Sequence, residues 1–400
     1  MPRPFQGKNI VLGVTGSIAC YKAVDLASKL SQAGAHVDVI MTESATKFVS
    51  PMTFRSITHQ PVVTDMFDPE SELGIHHVAV AERADIVVVA PATADFIAKA
   101  ANGLADDALG TTILATTAPV LFAPAMDGHM YENAATQENL ERLRARGVSF
   151  AGPASGHLAS GLSGKGRLLE TPELLGHISV VLGRDGDLAG RKVVVSAGGT
   201  QEAIDPVRII TNRSSGKMGY AIAEAARDRG AQVTLVTAPT ALDDPTGVET
   251  RHASSVAEMR EAVLGACVEA DVVVMAAAVS DYRPAEVAPQ KIKKEADSDG
   301  MTLHLLKNED FFAEVPNGVL RVGFAAETES LVSNAQAKLQ EKGLDLIAAN
   351  DVTEEGSGFE VETNRVTLID RRGRVEELPL MDKYDVGHRI LDRTVELMGE

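Results

Sequence analysis

The 400-residue chain has no tryptophan, five tyrosines and only two cysteines, Cys20 and Cys267. Two thiols so far apart supply neither a disulfide framework nor a cysteine-based metal site, and both read as reduced, inert groups. So few aromatic rings leave no stacking platform for single-stranded nucleic acid. Positive charge is scarce as well: 38 Lys and Arg against 56 Asp and Glu give a formal net charge of −18, which argues against a basic nucleic-acid groove. Small anions stay open, because a few placed lysines and backbone N–H groups can bind phosphate in an acidic protein. The opening stretch MPRPFQGKNIVLGVTG runs from a short apolar segment straight into Gly and Thr. Neither a secretory leader nor a membrane span is therefore expected, and the expected location is the cytoplasm.

What the chain does have is apolar residues, 44% of the total, enough to bury two cores at the usual domain size. Strand-length apolar runs alternate with helical periodicity: Lys8 to Val14, a helix to Gln32, then His36 to Met41, Asp85 to Ala90 and Val120 to Ala123. The pattern restarts with Lys192 to Ala197, Gln232 to Thr237, Asp271 to Ala278, Arg321 to Ala326 and Leu344 to Ala349. This alternation predicts α/β architecture with parallel sheets, as two Rossmann-like domains in series. The Gly-rich stretch Gly183 to Gly190 reads as the linker, giving domains at residues 1–188 and 189–400. An internal echo, AGAHVDVIMT against RGAQVTLVTA, supports the repeat of architecture and says nothing of function.

The glycine loops fail the common phosphate-binding patterns. GVTGSIA lacks the third glycine of G-x-G-x-x-G, and the following strand ends in Met41-Thr42 without a ribose-binding acid, which weakens a nicotinamide dehydrogenase reading. In SSGKMG, Thr211 and Met218 stand where a P-loop requires Gly and Ser or Thr. The turn at Gly16-Ser17 can still hold a single phosphate at a helix start, as FMN requires, although capping of that helix by Ser17 is an equally good local reading.

Taken together, GVTGSIACYKA, MTESATKFV, GIHHVAVAERADIVVVAPATADFIAKAANGLADD, APAMDGHM and SGLSGKGRLLE resemble the FMN-binding cysteine decarboxylases, specifically those acting on phosphopantothenoylcysteine, over about residues 6–180. The resemblance implies a flavodoxin-like first domain with FMN surrounded by Gly16, Ser17, Thr42, Ser44, Pro91, Ala92, Thr93 and Met126. It also implies a trimer whose interface forms the pocket, and His77 as the base. A flavin suits the reaction: oxidising the substrate thiol creates an electron sink beside the departing carboxylate, and reduced flavin can return the electrons. Two positions depart from the family pattern. Its PAMN reads PAMD, placing Asp127 where an Asn contacts the substrate carboxylate, and its A-C-G flap reads Ala159-Ser160-Gly161. Ser is a far weaker acid than Cys, so the proton donor is expected to be Ser160 with help, or Asp127.

The second half resembles the phosphopantothenate–cysteine ligases through SAGGTQEAIDPVRIITNRSSGKMGYAIA, AAAVSDYRP, QKIKKE, LLKNEDFF, VGFAAET and LDLIAANDV. The order of two such halves is that of a bifunctional enzyme of coenzyme A biosynthesis. It would join 4′-phosphopantothenate to L-cysteine through an acyl-cytidylate made from CTP, then decarboxylate the product. The resemblance assigns Lys291, Lys338 and Lys342 to the triphosphate, Asp281 to the nucleotide, and Ala276, Ala277 and Phe324 to cytosine and ribose. Arg208 and Asn212 go to the acyl-cytidylate, and Glu309, Asp310, Phe311 and Phe312 complete the site. Mg²⁺ is expected with the phosphates, its ligands unassigned, and this domain is expected to dimerise, giving a homo-oligomer. By composition alone QKIKKE is a solvated charge run; it can equally be a lid over nucleotide. The competing functional reading is a chain active as a ligase whose flavin half is regulatory or impaired.

Overall fold

The computed structural model describes residues 4–66, 76–159, 161, 163–293, 300–327, 330–351, 356–358 and 361–399. The chain forms two compact units that divide between Gly183 and Arg184.

The first unit is built on strands β1 (Asn9–Val14), β2 (His36–Met41), β3 (Val62–Val63), β4 (Ile86–Ala92), β5 (Val120–Pro124) and β6 (Ser149–Phe150). They pair in the order β3-β2-β1-β4-β5-β6, all parallel, so the order reverses between β1 and β4. A parallel sheet covered on both faces needs strands that are apolar throughout. In β1, Ile10, Leu12 and Val14 face one core, while Val11 packs with Val87, Val89 and Phe122 in the other. Gly13 sits between them because a Cβ there would meet Leu109 Cδ1 at 2.5 Å. A hairpin, β7 (Ala154–His157) with β8 (Ser163–Arg167), follows the sheet.

The second unit has an eight-stranded sheet. Its strands are β9 (Lys192–Ala197), β12 (Gln232–Thr237), β13 (Glu249–His252), β14 (Val272–Met275), β17 (Leu320–Glu327), β18 (Leu346–Asp351), β20 (Thr367–Asp370) and β21 (Val375–Glu377). The order is β13-β12-β9-β14-β17-β18-β20-β21, with β20 and β21 antiparallel additions at one edge. Three small ladders lie outside it: β10 (Gln201–Ala203) with β11 (Ile209–Thr211), β15 (Tyr282–Pro284) with β16 (Leu305–Lys307), and β19 (Thr363–Asn364) with β22 (Met381–Asp382).

Two expectations change. The strand expected to reach Ala278 ends at Met275, and the chain then bends so that Ala278 N–H donates to Gly198 O at 2.8 Å. The Gly183–Gly190 stretch is not a free linker. Leu188 is fully buried in the second core, and Asp187 receives the Arg229 guanidinium at 2.9 and 2.5 Å. Cys20 and Cys267 are both buried. Burial pushes the Cys267 thiol up to about 11 and raises that of Cys20, in keeping with unreactive thiols.

Candidate active sites

Each unit carries a large cleft where the loops leave the carboxyl ends of its parallel strands, as expected for open α/β sheets. The first has a volume of about 970 Å³ and is lined by Gly16, Ser17, Thr42, Ser44, Thr93, Met126 and Asp127 among others. Its floor is held by Thr15, a residue the motifs did not single out. The Thr15 hydroxyl donates to Pro91 O at 2.7 Å and accepts from Thr93 N–H at 3.0 Å, joining the exits of β1 and β4. Thr93 caps the helix Ala94–Asn102 by accepting from Phe96 N–H, and Thr42 caps Glu43–Thr46. Ser17 Oγ accepts from Ala19 N–H at 3.3 Å, one residue before the helix Cys20–Gln32 begins. Gly16 permits close approach of two loops, since a Cβ there would stand 2.4 Å from Ser44 Cβ. Pro91 and Ala92 belong to β4 and do not line the cleft; Pro91 acts on it through Thr15, and Ala92 through Ala125, whose N–H donates to Ala92 O at 3.0 Å.

The opposite wall is made by Met126 and the hairpin. Met126 N–H donates to Gly166 O at 2.9 Å, and a Cβ on Gly166 would come within 2.2 Å of Met126 O, so glycine is required there. Asp127 caps the short helix Gly128–Glu132, accepting from His129 N–H at 3.0 Å, with His129 Nδ1 3.8 Å away. This cap occupies Oδ1 as an acceptor. The cations of this cleft are paired. Buried Lys22 donates to Leu168 O and Glu170, each at 2.9 Å, and Lys99 lies 3.2 Å from Asp106, which raises its pKa. The hydrogen bond from Lys22, then that from Arg167, hold Glu170 below the ordinary carboxylate value. His77 lies in the helix His76–Arg83, but its side chain and all of Ser160 lie outside the described residues.

The second cleft, of about 810 Å³, is lined by Asn212, Ala276, Ala277, Asp281, Glu309, Asp310, Phe311, Phe312, Phe324, Lys338 and Lys342, all expected there. The bend after β14 presents the backbone: Ala277 N–H donates to Ser196 Oγ at 3.1 Å, and Asn212 Nδ2 donates to Val279 O at 3.1 Å. Lys342 reaches Asp310 at 2.8 Å. Burial alone would raise the Asp310 pKa, but Lys342 and the Phe312 N–H bring it below its usual value. Phe311 and Phe312 are buried in the core beneath the cleft and serve as its foundation.

Three further lysines line this cleft without having been expected from motifs: Lys307, Lys217 and Lys383. Lys217 opens the helix Lys217–Arg227 and pairs with Glu362 at 2.5 Å. Lys383 opens the helix Lys383–Met398, is 4% exposed, and donates to Gly358 O at 2.9 Å and Val361 O at 2.6 Å. Burial, with the nearby Lys217 charge adding to it, lowers its pKa to about 8. The available signal was a lysine directly after a Met-Asp pair at a helix start, too common to stand out. Two expected residues, Lys291 and Arg208, do not line the cleft. Lys291 lies in an exposed loop, and the Arg208 guanidinium is bonded to Asp205 at 2.9 Å and to Ile292 O at 3.2 Å. Among the described residues no three His, Cys, Asp or Glu side chains cluster as a metal site, and no helix is long and apolar enough to cross a membrane.

A hydroxyl-lined cleft on one Rossmann-like unit and a lysine-rich cleft on the next define a two-site α/β protein. Family comparisons give each unit its class: residues 2–182 match Flavoprotein, and residues 188–398 match the DNA/pantothenate metabolism flavoprotein C-terminal domain. The chain is 47% identical over 396 residues to the coenzyme A biosynthesis bifunctional protein CoaBC of Bacillus subtilis, covering 98% of this chain and 97% of that one. It is 45% identical to the protein of the same name from Vibrio parahaemolyticus, covering 98% and 99%. The solved C-terminal domain of a CoaBC protein is 39% identical, covers 54% of this chain and 98% of that one, and has a TM-score of 0.46. The chain belongs to the family of bifunctional coenzyme A biosynthesis proteins. It is an enzyme with two activities, a phosphopantothenoylcysteine decarboxylase and a phosphopantothenate–cysteine ligase.

Proposed function

We propose that the first unit, up to Gly183, carries the decarboxylase with FMN, and the second, from Arg184 rather than from residue 189, the ligase with CTP and Mg²⁺. The contrast between the two clefts supports this division. In the first, hydroxyls at Ser17, Thr42, Ser44 and Thr93 sit beside helix starts, a donor set matched to one phosphate. Met126, Phe96 and Leu158 supply apolar wall for a flavin ring. Bound flavin would take up the electrons of thiol oxidation and return them after CO₂ leaves. The protein's part is to orient the cysteinyl end between Asp127 and the hairpin, and to move protons through His77 and through Ser160 or Asp127. Asp127 can keep its cap on His129 N–H through Oδ1 and still donate a proton from Oδ2, and Asp127→Asn is the direct test: full decarboxylation in that variant would remove Asp127 from the role.

In the second cleft Lys338 and Lys342 face the triphosphate of CTP. Lys217 and Lys383, at two helix starts, favour the phosphate of 4′-phosphopantothenate. Asn212, tied to the backbone after β14, orients the acyl-cytidylate that the cysteine amine attacks. Mg²⁺ accompanies the phosphates, its usual mode of binding, near Asp281 and Glu309. Exposed Ile18 and Tyr21, which line the first cleft, support an assembly that covers them, trimeric through the first domain. Exposed Val207, Ile209 and Tyr282 support dimerisation through the second. A cytoplasmic location follows from the pathway.

The deciding experiment incubates the protein with 4′-phosphopantothenate, L-cysteine, CTP and Mg²⁺ and weighs the products. A yellow protein that releases CMP and 4′-phosphopantetheine is expected. A product that keeps its carboxylate would make this a ligase with a regulatory or impaired flavin half, the reading favoured by the Ser160 and Asp127 departures.

A further inference from the structure

Asp205 is the most heavily bonded carboxylate among the described residues of the second unit. It is 2% exposed and sits in the turn between β10 and β11. Its Oδ1 accepts from Val207 N–H and Arg208 N–H, each at 2.8 Å. Those two bonds are an ordinary local turn cap. Oδ2 does something else. It accepts from Arg208 Nη1 at 2.9 Å and from Ile292 N–H at 3.1 Å, 87 residues away. Arg208 Nη1 then donates to Ile292 O at 3.2 Å. Both backbone polar groups of Ile292 are thereby claimed by one ion pair, buried at Asp205 and partly exposed at Arg208. A second tie fixes the same loop to the same turn, since Ala288 N–H donates to Ile204 O at 2.9 Å.

Lys291, exposed and directly before the clamped residue, is one of the three lysines assigned above to the triphosphate. Its side chain is long and rotatable, so its reach is set by where its backbone is held. We propose that Asp205 and Arg208 act as positioning residues that clamp Ile292 and so fix the backbone from which Lys291 reaches the nucleotide. The clamp gives Arg208 a role apart from substrate contact and explains why it does not line the cleft. The consequence for catalysis rests on the reading of Lys291 as a nucleotide-binding residue; the clamp itself does not.

Asp205→Asn separates the two halves of the carboxylate. The amide oxygen can keep the Oδ1 cap, while its NH₂ then faces the donors of Ile292 and Arg208. Limited trypsin digestion of the full-length protein should cut after Lys291 and Lys293 faster in Asp205→Asn than in the wild type. Unchanged cutting would overturn the clamp. Ligase kcat/KM for CTP should fall between about ten- and a hundredfold, and the loss should disappear in a Lys291→Gln background, where there is no ammonium left to position. A loss that persists undiminished in that background would refute positioning of Lys291 even if the loop loosens. If Lys291→Gln alone leaves CTP kinetics unchanged, the assignment of Lys291 fails, and the catalytic half of the proposal with it. Asp205→Glu, which keeps the charge, should recover part of the rate; recovery of neither rate nor trypsin resistance would count against the clamp.

Discussion

The two clefts occupy equivalent places on two similar sheets yet obtain their polarity by opposite means. In the first, small hydroxyls and backbone amides provide it, and Lys22 and Lys99 are paired with carboxylates. In the second, five lysines line one cleft, one of them buried, and although Lys217 and Lys342 also meet carboxylates, it is their number that sets the polarity there. A set of short, rigid donors selects a ligand by fit, whereas a lysine cluster selects it by charge. Crowding should therefore harm the first more than neutralising a charge, and the second should respond in the reverse way.

The largest effect is expected from crowding the first cleft. Gly16→Val would drive a side chain into Ser44, where even a Cβ stands 2.4 Å from Ser44 Cβ. Purified protein should lose its flavin absorbance entirely while CTP-dependent ligation continues; retained yellow colour would mean that the two loops can move apart. Next comes Lys342→Gln, which removes a charge-assisted contact worth about 1.5–3 kcal/mol. The KM for CTP should rise between about ten- and a hundredfold, and the ligase should be more sensitive to added salt than the decarboxylase. Equal salt sensitivity of the two activities would break the contrast.

A smaller effect concerns pH. Lys383 keeps its proton below about 8 and sheds it above, so ligase affinity for the phosphorylated acid should weaken as pH rises through that value, and the trend should flatten in Lys383→Met. Stability runs the other way. Between about 8 and the ordinary lysine value of 10.5 the unfolded chain binds the proton that the folded chain has released, so this lysine's destabilising contribution, complete below about 8, diminishes as pH increases across that window. Thermal unfolding of wild type and Lys383→Met across the same range checks the sign. The smallest effect is expected from caps. Thr93→Ala and Ser255→Ala each remove a helix cap, the second from a full capping box with Glu258, at a cost of about 1 kcal/mol apiece. Only Thr93→Ala should also weaken flavin retention, because its cap lies at a cleft.

Much of the fold could be read from the sequence because strands buried on both faces are apolar without interruption, as in Ile86–Ala92 and Val193–Val195. The antiparallel edge formed by β20 and β21 was not legible: Val375–Glu377 has only one apolar residue and reads as loop. Cleft residues next to glycine turns, such as Ser17 and Asn212, could be found from motifs. Thr15 lies between Gly13 and Gly16 yet carries no motif signal of its own, because its importance comes from a hydrogen bond to Pro91, 76 residues away. Arg208 shows the converse. A motif fixes its place in the chain but not the direction of its side chain, which turns from the cleft toward Asp205 and Ile292.

Leu188 carries a consequence for anyone who would divide the protein. Its side chain is sealed inside the second core and its N–H donates to Arg229 O at 3.0 Å, with Asp187 held by the same arginine. A ligase fragment begun at Gly190, after the glycines that look like a boundary, would open a hole of one leucine in its own interior and strand the Arg229 guanidinium without one of its two carboxylates. Begun at Arg184, it would keep both, so six residues separate a sound dissection from one that damages the part it means to isolate.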